Sequence, residues 1–230
     1  MIDTLLHRVQ LHVSERLRRK SFTATRLDDL DEEGREAVYQ KGYAQIATLA
    51  QRLERQTGFS LEGARALDFG CGVGRNVLPL AERCEHVYAL DVSPAVLREG
   101  AGNAQRRGLE NIDWLDASKL PELDGRYDLA ISFFVFQHIP SREGERVFAT
   151  LVRGLRPGGA GAIHVTLRPR LRNLTWAYPY ALMNSYSLSR LGRLLTDAGV
   201  TEWHTRLHAG AKPDGVNSAN SDVTIIFRKP

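Results

Sequence analysis

Little in this chain points to a covalent or metallic framework. Two cysteines, Cys71 and Cys84, stand among 230 residues, too few for a disulfide scaffold or a cysteine metal site, and both read as reduced small residues. No apolar run approaches the roughly 20 residues that a helical membrane span requires. The opening Met1-Ile2-Asp3-Thr4-Leu5-Leu6-His7 lacks the positive start and long apolar stretch of a secretory leader, which predicts a cytoplasmic protein. Charge of one sign is not in large excess, since 31 Lys and Arg against 27 Asp and Glu leave a net charge of +4. The pI near 9.2 would admit an anionic partner, yet the surplus is spread along the chain rather than clustered as in a nucleic-acid footprint. Nucleic acid is therefore not the expected partner. A P-loop GK[ST] and internal repeats are absent as well.

What is present is an ordinary globular balance, 43% hydrophobic and 25% charged, on a chain long enough for one well-buried core with a small appendage. The stretch that organises it is Ala66-Leu67-Asp68-Phe69-Gly70-Cys71-Gly72-Val73-Gly74-Arg75. Ala64 to Phe69 reads as a buried strand and Val77, Leu78 and Ala81 open a helix, so the glycines form the turn between them. Such a turn bends sharply and lets a ligand approach without Cβ interference. It departs from the GxGxxG dinucleotide fingerprint, because the third glycine comes one residue early and Arg75 holds the expected place.

The rest of the chain alternates strand and helix. The first helix after the glycines is expected to run to about Cys84, and His86 to Asp91 is the second strand. Ser93-Pro94 gives an N-cap and first helical residue for a helix ending at Gly108. Ile112 to Leu115, ending at Asp116-Ala117, is a third strand, and Tyr127 to Phe133 a near-continuous apolar fourth. Ser141 is read as the cap of a helix whose inner face is Val147, Phe148, Leu151, Val152 and Leu155. Arg156-Pro157-Gly158-Gly159 turns into the fifth strand, Ala162 to Leu167. A last helix (Leu188, Leu191, Leu194, Leu195, Ala198) precedes two strands, Thr201 to Leu207 and Asp222 to Arg228, which must pair antiparallel because no crossover separates them.

Upstream, Leu5, Leu6, Val9, Val13 and Leu17 form one apolar helical face that ends in Arg16, Arg18, Arg19 and Lys20. Ile46, Leu49, Ala50 and Leu53 form another before Gly58. Asp28, Asp29, Asp31, Glu32 and Glu33 lie between, either as a solvated linker or as the acidic approach to the second helix. The fold class is thus α/β, a doubly wound, mostly parallel seven-stranded sheet with an antiparallel C-terminal strand pair. Residues 1–60 form an N-terminal helical extension, 61–230 the main domain, and the whole a single compact unit.

Taken together, DFGCGVG and the acidic strand end at Asp91 resemble motifs I and II of the class I S-adenosylmethionine-dependent methyltransferases, of the small-molecule type. The resemblance covers roughly residues 64 to 166 and, more loosely, the C-terminus. It implies S-adenosyl-L-methionine as cofactor and S-adenosyl-L-homocysteine as product, with residues 1–60 as a lid over the cofactor. By the same resemblance Gly70, Cys71 and Gly72 approach the amino-acid moiety, and Asp68 holds its ammonium end. Asp91 accepts the ribose hydroxyls, Val92 packs on the adenine, and Asp116 with Ala117 reads the adenine amino edge. Phe133 is placed near the sulfonium, or else in the core. Gly42-Tyr43 is a candidate for contact with the methionine end, or Tyr43 is simply packing.

The catalytic candidate is His138 in Phe136-Gln137-His138-Ile139-Pro140, as a base for a hydroxyl acceptor or as a brace on the cofactor side. Arg168 to Tyr180, aromatic and basic, reads as a substrate lid or as a packed excursion. No Asn-Pro-Pro-Tyr follows the fourth strand, there is no Pro-Cys of the cytosine C5 type, and no acidic cluster suits a metal. A small-molecule acceptor, a sugar, glycan or secondary metabolite methylated on O or N, is expected. RNA methylation and a non-catalytic S-adenosylmethionine-binding subunit stay open as alternatives.

Overall fold

The strands lie in the order β3-β2-β1-β4-β5-β7-β6 in one seven-stranded sheet. They are β1 (Arg65–Phe69), β2 (His86–Asp91), β3 (Ile112–Asp116), β4 (Tyr127–Ser132), β5 (Leu155–Leu167), β6 (Trp203–His208) and β7 (Ser221–Arg228). The computed structural model describes residues 30–167, 184–208 and 221–230. The expected helix around Leu5 to Leu17, the acids Asp28 and Asp29, and the Arg168 to Tyr180 insertion lie outside them. Strands β1 to β5 are parallel, whereas β7 runs antiparallel between β5 and β6. The strand order reverses between β1 and β4, which opens a crevice beyond their carboxyl ends.

Both faces of the sheet are covered, which is why β1, β2 and β4 read as apolar runs rather than alternating ones. Leu67, Phe69, Ala130, Ile163 and Val165 join one core cluster with Phe148 and Leu151 of α4 (Ser141–Arg153) and Leu191 and Leu195 of α5 (Leu188–Asp197). Ala66, Leu129, Ile131, Ala160 and Ala162 face the other way, toward Ile46, Leu49 and Leu53 of α1 (Glu32–Thr57) and Val77 and Leu80 of α2 (Val77–Ala81). Leu97 of α3 (Pro94–Arg106) closes that layer.

Helix α1 starts where its sequence says it should. Asp31 is the N-cap, its carboxylate accepting the Gly34 N–H at 2.8 Å, and Glu32 and Glu33 stand in the first turn, where the helix dipole favours them. Asp31, Glu32 and Glu33 are therefore the acidic approach to the helix. Its buried residues Tyr39, Gly42, Ile46, Leu49 and Leu53 step by three and four along one stripe. Each fully buried Leu or Ile there contributes roughly 2 kcal/mol of transfer free energy, which offsets part of the cost of ordering the helix. Gly42 marks the closest approach, since a Cβ there would overlap the Arg75 carbonyl.

Several boundaries differ from expectation. Helix α2 ends at Ala81 rather than Cys84, with all five of its residues buried, Pro79 included. Ser93 occupies the cap position before α3, but its side chain makes no capping bond. The N-cap of α4 is Pro140, and Ser141 instead donates its hydroxyl to the Ser185 carbonyl at 2.9 Å. Strand β5 begins at Leu155, because the Arg156-Pro157-Gly158-Gly159 turn is absorbed as a register shift against β4 between Tyr127 and Leu129.

Candidate functional site

Strand β1 delivers Asp68 and the glycine turn to the crevice. The turn is pinned to the neighbouring strand, with the Gly70 and Cys71 N–H groups both donating to the Leu90 carbonyl, at 2.7 and 3.0 Å. All three glycines have positive φ, but their surroundings differ. A Cβ on Gly70 would overlap Val135, and one on Gly74 would strike Trp114 at 2.7 Å, whereas one on Gly72 would meet nothing within 4 Å. Gly72 is thus the glycine whose missing side chain leaves open space, a cradle that a ligand can enter and a Cβ would fill.

Asp91, at the end of β2, is tied to that cradle. One carboxylate oxygen accepts the Gly72 N–H and the other the Ser93 N–H, both at 3.0 Å. The carboxylate therefore secures both the glycine turn and the entry to α3, a task the sequence assigned to Ser93. The Val92 N–H also faces it, and with roughly four acceptor sites on a carboxylate it keeps capacity for a further donor. Burial pushes its pKa up, opposed by the backbone N–H groups of Ser93, Gly72 and Val92, with Asp116 adding to the rise.

Asp116 sits beside Asp91 in the parallel register of β2 and β3. Its Oδ1 accepts the Ser118 N–H at 2.9 Å, making it the cap of the 3-10 turn that begins at Ala117. Ala117 is buried, and Val92 is half-buried against the core cluster that includes Leu90 and Ala117.

Asp68 is 2% exposed. Burial raises its pKa to about 7, partly opposed by the Arg75 guanidinium and reinforced by Asp91. Cys71, also buried, has its thiol pushed well above the usual range by burial, so it is neither a nucleophile nor a ready oxidation target. Arg75 reaches back to α1, donating to Gln45 Oε1 at 3.1 Å.

Beyond β4 the chain enters a compact connection. Phe133 is half-buried against the cluster beneath α1, and Val135 fills the space above Gly70. Phe136–His138 is a 3-10 turn. It is held by Tyr186, whose hydroxyl sits 2.8 Å from the Phe136 carbonyl and 2.7 Å from that of Ile139, and by Asn184, whose N–H donates to the Gln137 carbonyl at 2.9 Å. His138 closes the turn half-buried, its Nε2 3.3 Å from Gln137 Nε2.

The structure thus brings Asp68, Gly70, Cys71, Gly72, Asp91, Val92, Asp116 and Ala117 to the carboxyl ends of β1, β2 and β3, with Phe133 and His138 following β4. It draws Tyr43 elsewhere, since its hydroxyl bonds to the Glu82 carboxylate at the far end of α2. Three residues escaped the sequence reading. Trp114 explains why positions 74 and 100 are glycine, and Tyr186 fills the space over Gly144; neither lies in a recognisable motif. Phe134 is 46% exposed and has φ +62°, which no sequence signal marks in a residue other than glycine.

A family model described as a methyltransferase domain matches residues 66–159. A 2-heptyl-1-hydroxyquinolin-4(1H)-one methyltransferase of Mycobacteroides abscessus is 35% identical over 94 residues, covering 40% of this chain and 41% of that one. Norajmaline N-methyltransferase of Rauvolfia serpentina is 28% identical over 151 residues, 62% of this chain and 51% of that protein. The chain thus spans about half or less of the length of these relatives. Among solved structures, the N-methyltransferase NodS of Bradyrhizobium japonicum, in complex with S-adenosyl-L-homocysteine, superposes with a TM-score of 0.63 at 18% identity, covering 95% of this chain and 99% of that one. Magnesium protoporphyrin IX methyltransferase of Synechocystis with bound S-adenosylmethionine gives 0.58 at 19% identity, over 92% and 87%. At these identities the two superpositions establish the fold.

Proposed function

From the premise that residues 66–159 are a methyltransferase domain and the chain a class I S-adenosylmethionine-dependent family member, we propose that the protein moves a methyl group from S-adenosylmethionine to an oxygen or nitrogen of a small molecule. The observation that carries this reading is the Gly72 cradle joined to the Asp91 carboxylate at 3.0 Å. It offers open space and anionic acceptors at the switch point of the sheet, which suits a ligand bearing vicinal hydroxyls and a cationic centre.

In this reading Asp91 orients the ribose by accepting hydrogen bonds from its hydroxyls, and the Gly70-Cys71-Gly72 backbone lies along the amino-acid end. Asp68 balances the ammonium, whose approach favours the ionised carboxylate over the neutral one. Asp116, Ala117 and Val92 bound the adenine, and Phe133 the sulfonium side. The bound cofactor supplies an activated methyl on a cationic sulfur, so the chain's task is alignment and exclusion of water. His138 braces the wall formed by Phe136 to Ile139, and α1 serves as the cover of this end of the sheet. The acceptor is a small molecule, consistent with the substrates in the relatives' names.

The test is incubation with S-adenosylmethionine labelled on its methyl group, with a 1-hydroxyquinolin-4(1H)-one and a secondary-amine alkaloid as acceptors. Labelled product accompanied by equimolar S-adenosylhomocysteine is expected from one of them. Tight cofactor binding with no transfer to either acceptor, or to RNA, would instead support a binding subunit, and transfer to RNA alone would overturn the small-molecule reading.

A further inference from the structure

Among the described residues Phe134 is the only one other than glycine with a positive φ, +62°. A bulky side chain in that region costs stability through crowding of Cβ, and an aromatic ring that is 46% exposed recovers little of it by burial. Its neighbours behave differently, because Phe133 packs on the core beneath α1 and Phe136 is fully buried. Phe134 thus combines a strained backbone with a ring left largely open to solvent. Outliers of this kind collect where a side chain is presented to a ligand.

Its surroundings say what kind. The residue precedes Val135, whose side chain stands over Gly70, so the ring projects from the same connection that borders the glycine turn. One neighbour is the His164 imidazole, ring centroids 4.5 Å apart and tilted 43°. Another is the Arg75 guanidinium, 6.0 Å from the ring centre. His164 lies on the face of β5 where Ala160 and Ala162 line the core, and there the strand turns polar, with Thr166 donating to Asp222 at 2.7 Å. An exposed aromatic ring, backed by a buried imidazole and flanked by a guanidinium, thus stands on the connection that borders the glycine turn.

We infer that Phe134, backed by His164, is a binding platform for a planar aromatic acceptor, with Arg75 favouring one whose hydroxyl ionises. The inference rests on the methyltransferase reading and deepens it, by naming the acceptor class. Stacking on Phe134 lays a flat ring against the wall next to the Gly70 turn, and the guanidinium attracts the acceptor's phenolate-like oxygen.

The test uses the full chain, with S-adenosylhomocysteine as cofactor probe and 1-hydroxyquinolin-4(1H)-one as acceptor probe, both followed by isothermal titration. Phe134→Gly relieves the backbone and removes the ring, whereas Phe134→Tyr keeps an aromatic face. Wild type and both variants are expected to bind S-adenosylhomocysteine within about twofold, and Phe134→Gly to melt no lower than wild type. With S-adenosylhomocysteine saturating, Phe134→Gly should bind the quinolone at least about tenfold more weakly than wild type, and Phe134→Tyr within about threefold. Equal quinolone affinity in Phe134→Gly, no quinolone binding by wild type, or a Phe134→Gly protein that melts lower and loses the cofactor would each overturn the inference. Failure of wild type to bind S-adenosylhomocysteine would instead sink the methyltransferase reading on which it stands.

Discussion

Asp68 is an acid taken out of water. Burial dominates its electrostatics, outweighing the nearby Arg75 charge, and lifts its pKa from 3.8 to about 7. An acid whose folded pKa lies above its unfolded one adds stability that is complete below the unfolded value and disappears as pH rises through the folded value. The free protein should therefore lose stability between about pH 4 and pH 7 on this account. Asp68→Asn cannot ionise, so its melting temperature should fall less than that of wild type between pH 5 and pH 8, in thermal melts without cofactor. Parallel pH dependence in the two proteins would contradict the assignment. Sequence made Asp68 and Asp91 visible because each stands at or next to the end of an apolar strand, but not the 3.0 Å bond from the Gly72 N–H to Asp91. That bond joins residues 19 apart and leaves no trace in local pattern.

Among the elements, those with strong periodicity were legible and those defined by long-range contact were not. The apolar runs of β1, β2 and β4 follow from burial on both faces, and α4 and α5 announce their inner faces by spacing. Helix α2 was overrun because Glu82 to Cys84 carry no stop signal, although the helix ends at Ala81. The connection after β4 is the other case, since its clamp, Tyr186, sits about fifty residues downstream, its hydroxyl against the Phe136 and Ile139 carbonyls. This clamp frames the choice at His138 between base and brace. A brace predicts that His138→Asn lowers melting temperature or cofactor affinity, while its remaining turnover keeps the wild-type pH dependence. A base predicts unchanged cofactor affinity, a fall in kcat of roughly a hundredfold and loss of one limb of the pH profile. Profiles of kcat against pH at saturating cofactor separate the two, and we expect the brace.

At the scale of the whole molecule, strand order could be anticipated only in class. Alternation of strand and helix dictates a parallel doubly wound sheet, and the crossover-free tail dictates an antiparallel pair. That β7 inserts between β5 and β6 rests instead on the pairing of Ala160 to Leu167 with Ser221 to Arg228, a contact between segments far apart in sequence. Among the described residues no helix is long and apolar enough to cross a membrane. The topology puts the reversal of strand order at β1 and β4, where the glycine turn and the Phe133 to His138 connection meet, and this coincidence underlies the functional proposal.

The central claim is that the cofactor occupies the space beside Gly72, and a matched pair of variants tests it. Gly72 and Gly108 have similar positive φ, 55° and 68°, and a Cβ at either would meet nothing within 4 Å, so valine strains both backbones alike. Only Gly72 borders Asp91; Gly108 follows the end of α3. Titration of S-adenosylhomocysteine into wild type, Gly72→Val and Gly108→Val should give tight binding by wild type and Gly108→Val. It should give a loss of at least tenfold, about 1.4 kcal/mol, in Gly72→Val, with the two variants melting at similar temperatures. No binding by wild type, or equal affinity in the two variants, would contradict the account.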